Sequence, residues 1–127
     1  MNKLVQILLV LFACISFQVT MADAKDLTHE AFAELRSKNP ESILLDVRTT
    51  KEYADGFIKG AINTPHTDTK KILASVSKDD TIILYCRSGR RVGIVAEMLS
   101  KKGYQNIYHL DGDIKEWIAK GKPLEKP

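Results

Sequence analysis

The sequence predicts an α/β domain built on a small parallel sheet with helices on both faces. Short apolar runs alternate along the chain with segments in which apolar residues recur at helical spacing. The run Ile82–Tyr85 is apolar throughout, which is typical of a strand buried on both faces. Parallel strands joined by helices produce this architecture, and its binding site lies at the carboxyl ends of the strands.

The composition is that of one globular domain. The chain has 127 residues, 44% hydrophobic and 28% charged, so it is neither disordered nor an integral membrane protein throughout. The net charge of +3 is mild, and the basic residues are scattered except in one loop. The chain has no arginine-rich tail and no basic stripe interleaved with aromatic residues, so nucleic acid is not an expected partner.

Residues 1–24 have the pattern of a secretory signal peptide. Lys3 supplies positive charge, residues 4–17 form an almost unbroken apolar run, and Ala22-Asp23-Ala24 fits the cleavage pattern. Cleavage leaves a mature domain over residues 25–127, which we expect to be exported to the periplasm without stable membrane association. Two alternatives stay open: an uncleaved membrane anchor, and lipidation of Cys14.

Turn-forming residues separate the elements predicted in the first half of the mature chain. Thr28 can cap a helix, and Asn39-Pro40 ends it because the residue before a proline disfavours helical backbone. The elements predicted here are the helix from Thr28 to Asn39, a strand over 42–47, a short helix capped by Thr50, a strand over 61–63 and a helix over 68–76.

The second half contains the central strand, predicted over 81–85, and the helix that follows it. This helix ends near Lys101-Lys102-Gly103, where cations and a glycine suit a helix C-terminus. Its apolar stripe consists of Val92, Val95, Ala96 and Leu99. A strand over 106–110 and a last helix complete the domain. The inward residues predicted for that last helix are Ile114, Trp117 and Ile118.

The chemistry is predicted to centre on Cys86, which ends the central strand. Gly89 permits a tight turn into the next helix, and the loop amides and helix N-terminus favour negative charge at the sulfur. We therefore expect the thiol to ionise near neutral pH and to act as a nucleophile. The alternative is a small buried core cysteine. The position at a strand end instead favours a sulfur that is presented rather than packed.

Two further polar residues follow strands at the same predicted edge of the sheet. Asp46 comes at the end of the strand over 42–47, and Asp111 follows the strand over 106–110. We expect these carboxylates and Cys86 to meet in one crevice. The three histidines lack the mutual spacing of metal ligands, so surface or packing roles are expected and no metal is predicted; they are His29, His66 and His109.

Four segments in order give the chain its resemblance to a known family. They are Leu45-Asp46-Val47-Arg48 with Glu52-Tyr53, Gly56 to Asn63, Cys86-Arg87-Ser88-Gly89-Arg90-Arg91, and Gly112 with Trp117, Gly121 and Pro123. With these motifs the chain resembles a single-domain rhodanese, a sulfurtransferase. Its exported form is similar to the periplasmic phage-shock-type rhodaneses.

The resemblance implies that sulfur moves through a Cys86 persulfide, without a cofactor. Thiosulfate, a small anionic donor, gives its outer sulfur to Cys86, and cyanide or a thiol accepts it. The resemblance assigns donor binding to Arg87, Ser88, Gly89, Arg90 and Arg91, and a cation at position 91 goes with thiosulfate. Asp46 and Arg48 are expected to brace this loop together with Glu52 through ion pairs.

The sequence departs from the family pattern at three positions. Phe57 stands where histidine is frequent, and Val92 where a serine or threonine is frequent. Asp113 stands where a second glycine usually follows Gly112, so we expect it to add negative charge near the cleft and to alter the last turn. None of these departures removes the nucleophile.

Three alternative functions differ in the residues that they require. A cysteine phosphatase needs Cys-x5-Arg, but the sixth residue after Cys86 is Val92 and Arg91 comes one residue early. A thiol–disulfide oxidoreductase needs a second nearby cysteine, which the sequence lacks. The alternative that stays open is a persulfide sulfur carrier, or partner-binding module, with little turnover of its own.

Overall fold

A computed structural model describes residues 24–127 of the chain. Except for Ala24, the predicted signal peptide lies outside these residues, and so does Cys14 with its lipidation alternative. Between Ala24 and the C-terminus, no helix combines the length and apolar character needed to cross a membrane.

The predicted parallel α/β fold is confirmed. The strands are β1 (Lys25–Leu27), β2 (Ile43–Asp46), β3 (Ile62–Asn63), β4 (Ile82–Tyr85) and β5 (Ile107–Leu110). The helices are α1 (His29–Lys38), α2 (Thr50–Asp55), α3 (Thr69–Ser75), α4 (Arg90–Lys101) and α5 (Asp113–Ala119). The strand order is β1-β5-β4-β2-β3, and every neighbouring pair is parallel.

The structure corrects three local predictions. β1 was not predicted, because its Lys25-Asp26-Leu27 sequence lacks an apolar run and its ladder with β5 depends on tertiary contact. The cap of α2 is Thr49 and not Thr50, because Thr49 and Glu52 form a reciprocal capping box. Ile118 was predicted to face inward but is 53% exposed.

The side chains of β4 alternate between two hydrophobic clusters, one on each face of the sheet. Ile82 and Leu84 pack with residues of α3 and α4, whereas Ile83 and Tyr85 pack with residues of α1 and α5. Full burial on both faces explains the unbroken apolar run. Cys86 continues the alternation, so its side chain belongs to the α4 cluster.

The candidate site lies at the ends of β2 and β4, which are neighbours in the sheet. The connections that leave these two strands lead to opposite sides of the sheet. From β2 the chain proceeds to β3 on one side, and from β4 it proceeds to β5 on the other. Connections that diverge in this way leave a crevice at the carboxyl ends of the strands. Asp46 at the end of β2 is in register with Tyr85, the residue before Cys86.

Candidate active site

Cys86 lies directly after β4, and its sulfur accepts a hydrogen bond from the backbone N–H of Gly89 at 3.0 Å. Gly89 is the N-cap of α4, so the first N–H groups of that helix lack intrahelical acceptors and lie close to the loop. The local electrostatics therefore favour an anion at the sulfur.

The sulfur is less exposed than the sequence predicted. Cys86 is only 1% exposed and shares a hydrophobic cluster with Val92 of α4. The expectation of a presented rather than packed sulfur is wrong in this respect, because the alternation along β4 directs the side chain beneath α4. The neighbouring Arg87, Ser88 and Arg90 lie nearer the solvent than the sulfur does.

Gly89 is required at its position for two reasons. Its φ of 113° lies in the left-handed range, which residues with a Cβ rarely adopt. A Cβ there would also lie 3.2 Å from Oδ2 of Asp113 and 3.6 Å from the His109 ring. The tight turn that brings its N–H to Cys86 therefore depends on the absence of a side chain.

Asp113 lies beneath the loop instead of adding charge to the cleft. Its side chain is 1% exposed, and Oδ1 accepts the backbone N–H of Cys86 at 2.9 Å. His109 Nε2 is 2.9 Å from Oδ2, and His109 Nδ1 is 2.9 Å from Asp26 Oδ1. The hydrogen bond with Asp113 raises the pKa of His109, although burial opposes the shift.

Asp111 does not share the crevice with Cys86 as predicted. It is exposed, and its backbone oxygen is 3.1 Å from Nε2 of His29. The chain then turns at Gly112, whose φ is 76°, so that the carboxylate of Asp113 reaches the loop. The sequence therefore located the correct edge of the sheet but the wrong carboxylate.

Glu52 contacts the last residue of the loop. Its two carboxylate oxygens accept hydrogen bonds from Arg91 at 2.7 and 2.9 Å, which joins α2 to α4 across the crevice. The bonds from Arg91 lower the pKa of Glu52 to about 2. In turn Glu52 raises the pKa of Arg91 against the effect of burial, and Cys86 and Asp46 contribute smaller effects.

Asp46 and Arg48 form a buried pair that does not brace the loop directly. Arg48 donates to both oxygens of Asp46, with a shortest distance of 2.6 Å, and also to the Gly56 carbonyl oxygen at 2.8 Å. Among residues 24–127, neither side chain bonds to the loop that follows Cys86. The pair therefore connects β2 to the end of α2 instead of bracing the loop as predicted. The reason is that the hydrogen bonds of the two side chains go to each other and to the Gly56 carbonyl oxygen.

A cleft of about 260 Å³ lies beside the loop. Its charged lining comprises Arg48, Arg87 and Lys115 against Glu52 and Asp55, and its apolar lining comprises Ile114 and Ile118. The excess of cations suits a small anion. Within residues 24–127, no group of three or more His, Cys, Asp or Glu side chains is arranged to hold a metal ion.

The sequence profile of the rhodanese-like domain family matches residues 28–120. The chain belongs to the rhodanese-like family. It is 37% identical over 98 residues to YqhL of Bacillus subtilis, which covers 77% of this chain and 75% of YqhL. It is 36% identical over 70 residues to the thiosulfate sulfurtransferase PspE of Escherichia coli, which covers 54% of this chain and 67% of PspE.

The fold comparison agrees with the sequence comparison. The crystal structure of a rhodanese-like domain protein from Staphylococcus aureus matches with a TM-score of 0.69 at 26% identity, covering 81% of this chain and 98% of that one. Membership places the chain among the rhodanese-like sulfurtransferases and sulfur carriers.

Sequence reasoning missed the roles of His109 and Asp26. Asp26 lies in β1 and His109 lies in β5. Because β1 is an edge strand of three residues, its sequence gives no signal that would predict the contact between the two side chains. The one hint in the sequence was the carboxylate of Asp113 directly after Gly112.

The Glu52–Arg91 pair predicts an acid-dependent loss of stability. Because the folded-state pKa of Glu52 is about 2 against an ordinary 4.5, its contribution is complete above pH 4.5 and disappears as the pH falls toward 2. We expect Glu52→Gln, which can keep the capping box, to lower the free energy of unfolding by about 1 kcal/mol at pH 7. Urea unfolding at several pH values measures the difference.

The matched control is Glu34→Gln, which removes an exposed pair with Lys38 and should change stability little at any pH. A Glu52→Gln effect that stays constant from pH 7 to pH 2 would contradict the assignment.

Proposed function

We propose that the protein is a sulfurtransferase that moves the outer sulfur of thiosulfate to cyanide or a thiol acceptor through a Cys86 persulfide. The observation that carries this proposal is the Gly89 N–H bonded to the Cys86 sulfur at the start of α4, in a rhodanese-like chain. The same donors that favour a thiolate would favour the anionic persulfide.

The proposed reaction has two displacement steps. The Cys86 thiolate attacks the outer sulfur of thiosulfate, a new S–S bond forms, and sulfite leaves with the electron pair of the broken bond. Cyanide or a thiolate then attacks the outer sulfur of the persulfide, which releases the Cys86 thiolate. Neither step changes the number of electrons overall, so no external oxidant or reductant is needed.

The charges around the loop support different roles for its three arginines. Arg87 and Arg90 are exposed, whereas Arg91 is held by two hydrogen bonds to Glu52. An exposed cation can approach an incoming dianion, whereas a paired one keeps its position. We therefore assign donor attraction mainly to Arg87 and Arg90, and to Arg91 the additional role of holding the end of the loop.

A persulfide carrier with little turnover is the second candidate. The burial of Cys86 favours it, because a residue with 1% exposure limits access for a second substrate. A carrier would form the persulfide but release its sulfur slowly to cyanide, and would transfer it to a protein partner instead.

Sulfur loading tests the proposed nucleophile. After incubation with thiosulfate, intact mass spectrometry should show a gain of one sulfur atom on Cys86, and cyanide should then yield thiocyanate. Cys86→Ser removes the attacking sulfur and should abolish both signals. Loading without thiocyanate turnover would favour the carrier. Loading or turnover that survives Cys86→Ser would refute the assignment.

Charge removal tests the assignment of the arginines. We expect Arg87→Gln and Arg90→Gln each to raise the KM for thiosulfate about three- to tenfold with a smaller change in kcat, because they attract the anion before chemistry. Steady-state thiocyanate formation measures both constants. Lys102→Gln removes the same charge at the other end of α4 and is the matched control. An equal KM change in all three variants would indicate only a general charge effect.

We further propose that the protein is exported and processed before Lys25. The support is the charge, apolar run and Ala22-Asp23-Ala24 pattern of residues 1–24. The full chain expressed in a Gram-negative host should appear in the periplasmic fraction, with Lys25 found by N-terminal sequencing. Ala24→Phe should block cleavage, because the signal requires a small residue there. An intact chain in the cytoplasm would contradict export, and a lipid mass on Cys14 would support the lipidated alternative.

A further inference from the structure

A chain of ionisable side chains runs beneath the loop and ends at the backbone of Cys86. From β1, Asp26 reaches Nδ1 of His109 in β5, and Nε2 of His109 reaches the Asp113 carboxylate. Asp113 then accepts the backbone N–H of Cys86. The two displacement steps described above do not use any of these three side chains.

We propose that Asp113 is a positioning residue for Cys86 and that His109 is its charge partner: Asp113 holds the Cys86 backbone amide, and the His109 imidazolium cancels the carboxylate charge beneath the loop. This inference deepens the proposed sulfur transfer and rests on it for its role in turnover.

The burial of Asp113 requires compensation. A carboxylate that is 1% exposed is strongly destabilising unless it is paired and hydrogen-bonded. His109 supplies the charge at 2.9 Å and the Cys86 N–H supplies a further hydrogen bond. One partner is therefore the reactive residue itself, so the position of the carboxylate and the position of Cys86 are linked.

The backbone also indicates that the carboxylate serves a specific role here. Asp113 has a φ of 55°, and it is the one non-glycine residue with positive φ in the part of the chain that the structure describes. Aspartate and asparagine tolerate this conformation better than other side chains. Asparagine at this position would thus keep the backbone and one acceptor oxygen while it removes the charge.

The protonation of His109 determines the charge beneath the loop. The groups that face the ring are Asp26 from β1, Asp113 at the start of α5 and the backbone of Gly89. Glu97 of α4 lines a surface groove together with Gly89 and His109. Asp113 and Asp26 raise the pKa of His109, which favours the imidazolium. When His109 is neutral, an uncompensated Asp113 charge disfavours a second anion at Cys86.

A double-mutant cycle tests the proposal through the rate of Cys86 alkylation by iodoacetamide, followed from pH 5 to pH 9. We expect His109→Gln to slow alkylation about tenfold at pH 6 to 7, because an uncompensated Asp113 charge bonded to the Cys86 backbone then disfavours the nearby thiolate. In the Asp113→Asn background, the same His109→Gln change should alter the rate by no more than about twofold. Rates of persulfide formation from thiosulfate should follow the same pattern.

A structural role for the His109 ring predicts a different result. In that case the His109→Gln effect would be as large in the Asp113→Asn background as in the unmodified protein, and this result would overturn the proposal. An unchanged rate in His109→Gln alone would also overturn it. Thermal unfolding of each variant distinguishes altered reactivity from loss of the fold.

Asp26→Asn provides a test that does not depend on changing the buried pair. The Asp26 side chain is 72% exposed, so its replacement should not disturb folding. Loss of its charge should move the His109-dependent part of the alkylation profile to lower pH. A profile that does not move would contradict the role of the imidazolium.

Alkylation also separates this inference from the proposed function. It reports the state of the thiol whether or not thiosulfate is a donor. The expected alkylation cycle without persulfide formation would reject the sulfur-transfer proposal while it preserves the positioning of Cys86 by Asp113. Persulfide formation without the expected cycle would reject the positioning proposal alone.

Discussion

The hydrogen bond from the Gly89 N–H to the Cys86 sulfur is the contact on which the rest of the site depends. It requires a strand that ends at Cys86, a left-handed turn at Gly89 and a helix that begins at Arg90. The packing of β4 between two clusters positions the end of the strand and the face that α4 covers, whereas the turn depends on the absence of a side chain at Gly89. Cys86 is thus positioned by the core as well as by the loop.

The loop is held from two sides by different kinds of interaction. On the crevice side, Arg91 is paired with Glu52, which ties the loop to α2. On the core side, Asp113 accepts the Cys86 N–H and is paired with His109. The crevice-side pair is partly exposed to solvent, whereas the carboxylate beneath the loop is buried. The two ion pairs should therefore respond differently to salt, since screening is weaker for buried charges.

The burial of Cys86 bears on whether the protein is a sulfurtransferase with rapid turnover or a persulfide carrier. A protected sulfur is consistent with a persulfide that is shielded from solvent, and exposed Arg87 and Arg90 are consistent with a small anionic donor. Turnover requires that an acceptor reach the same atom. How easily the short loop opens is therefore the physical property that would distinguish a catalyst from a carrier.

The sequence by itself determined the fold class, the central strand, the loop that begins at Cys86 and the family likeness. These features rest on local signals: apolar runs, the helical spacing after Gly89, and one cysteine at a strand end. Only the tertiary structure decided that Cys86 is buried and that Asp113, not Asp111, bonds to its backbone. The same holds for the contacts of His109 with Asp113 and Asp26. The contacts of Asp113 with Cys86 and of His109 with Asp26 join residues 27 and 83 positions apart, so no local pattern encodes them. His109 and Asp113 are only four positions apart, but His109 lies in β5 and the two meet through the turn at Gly112.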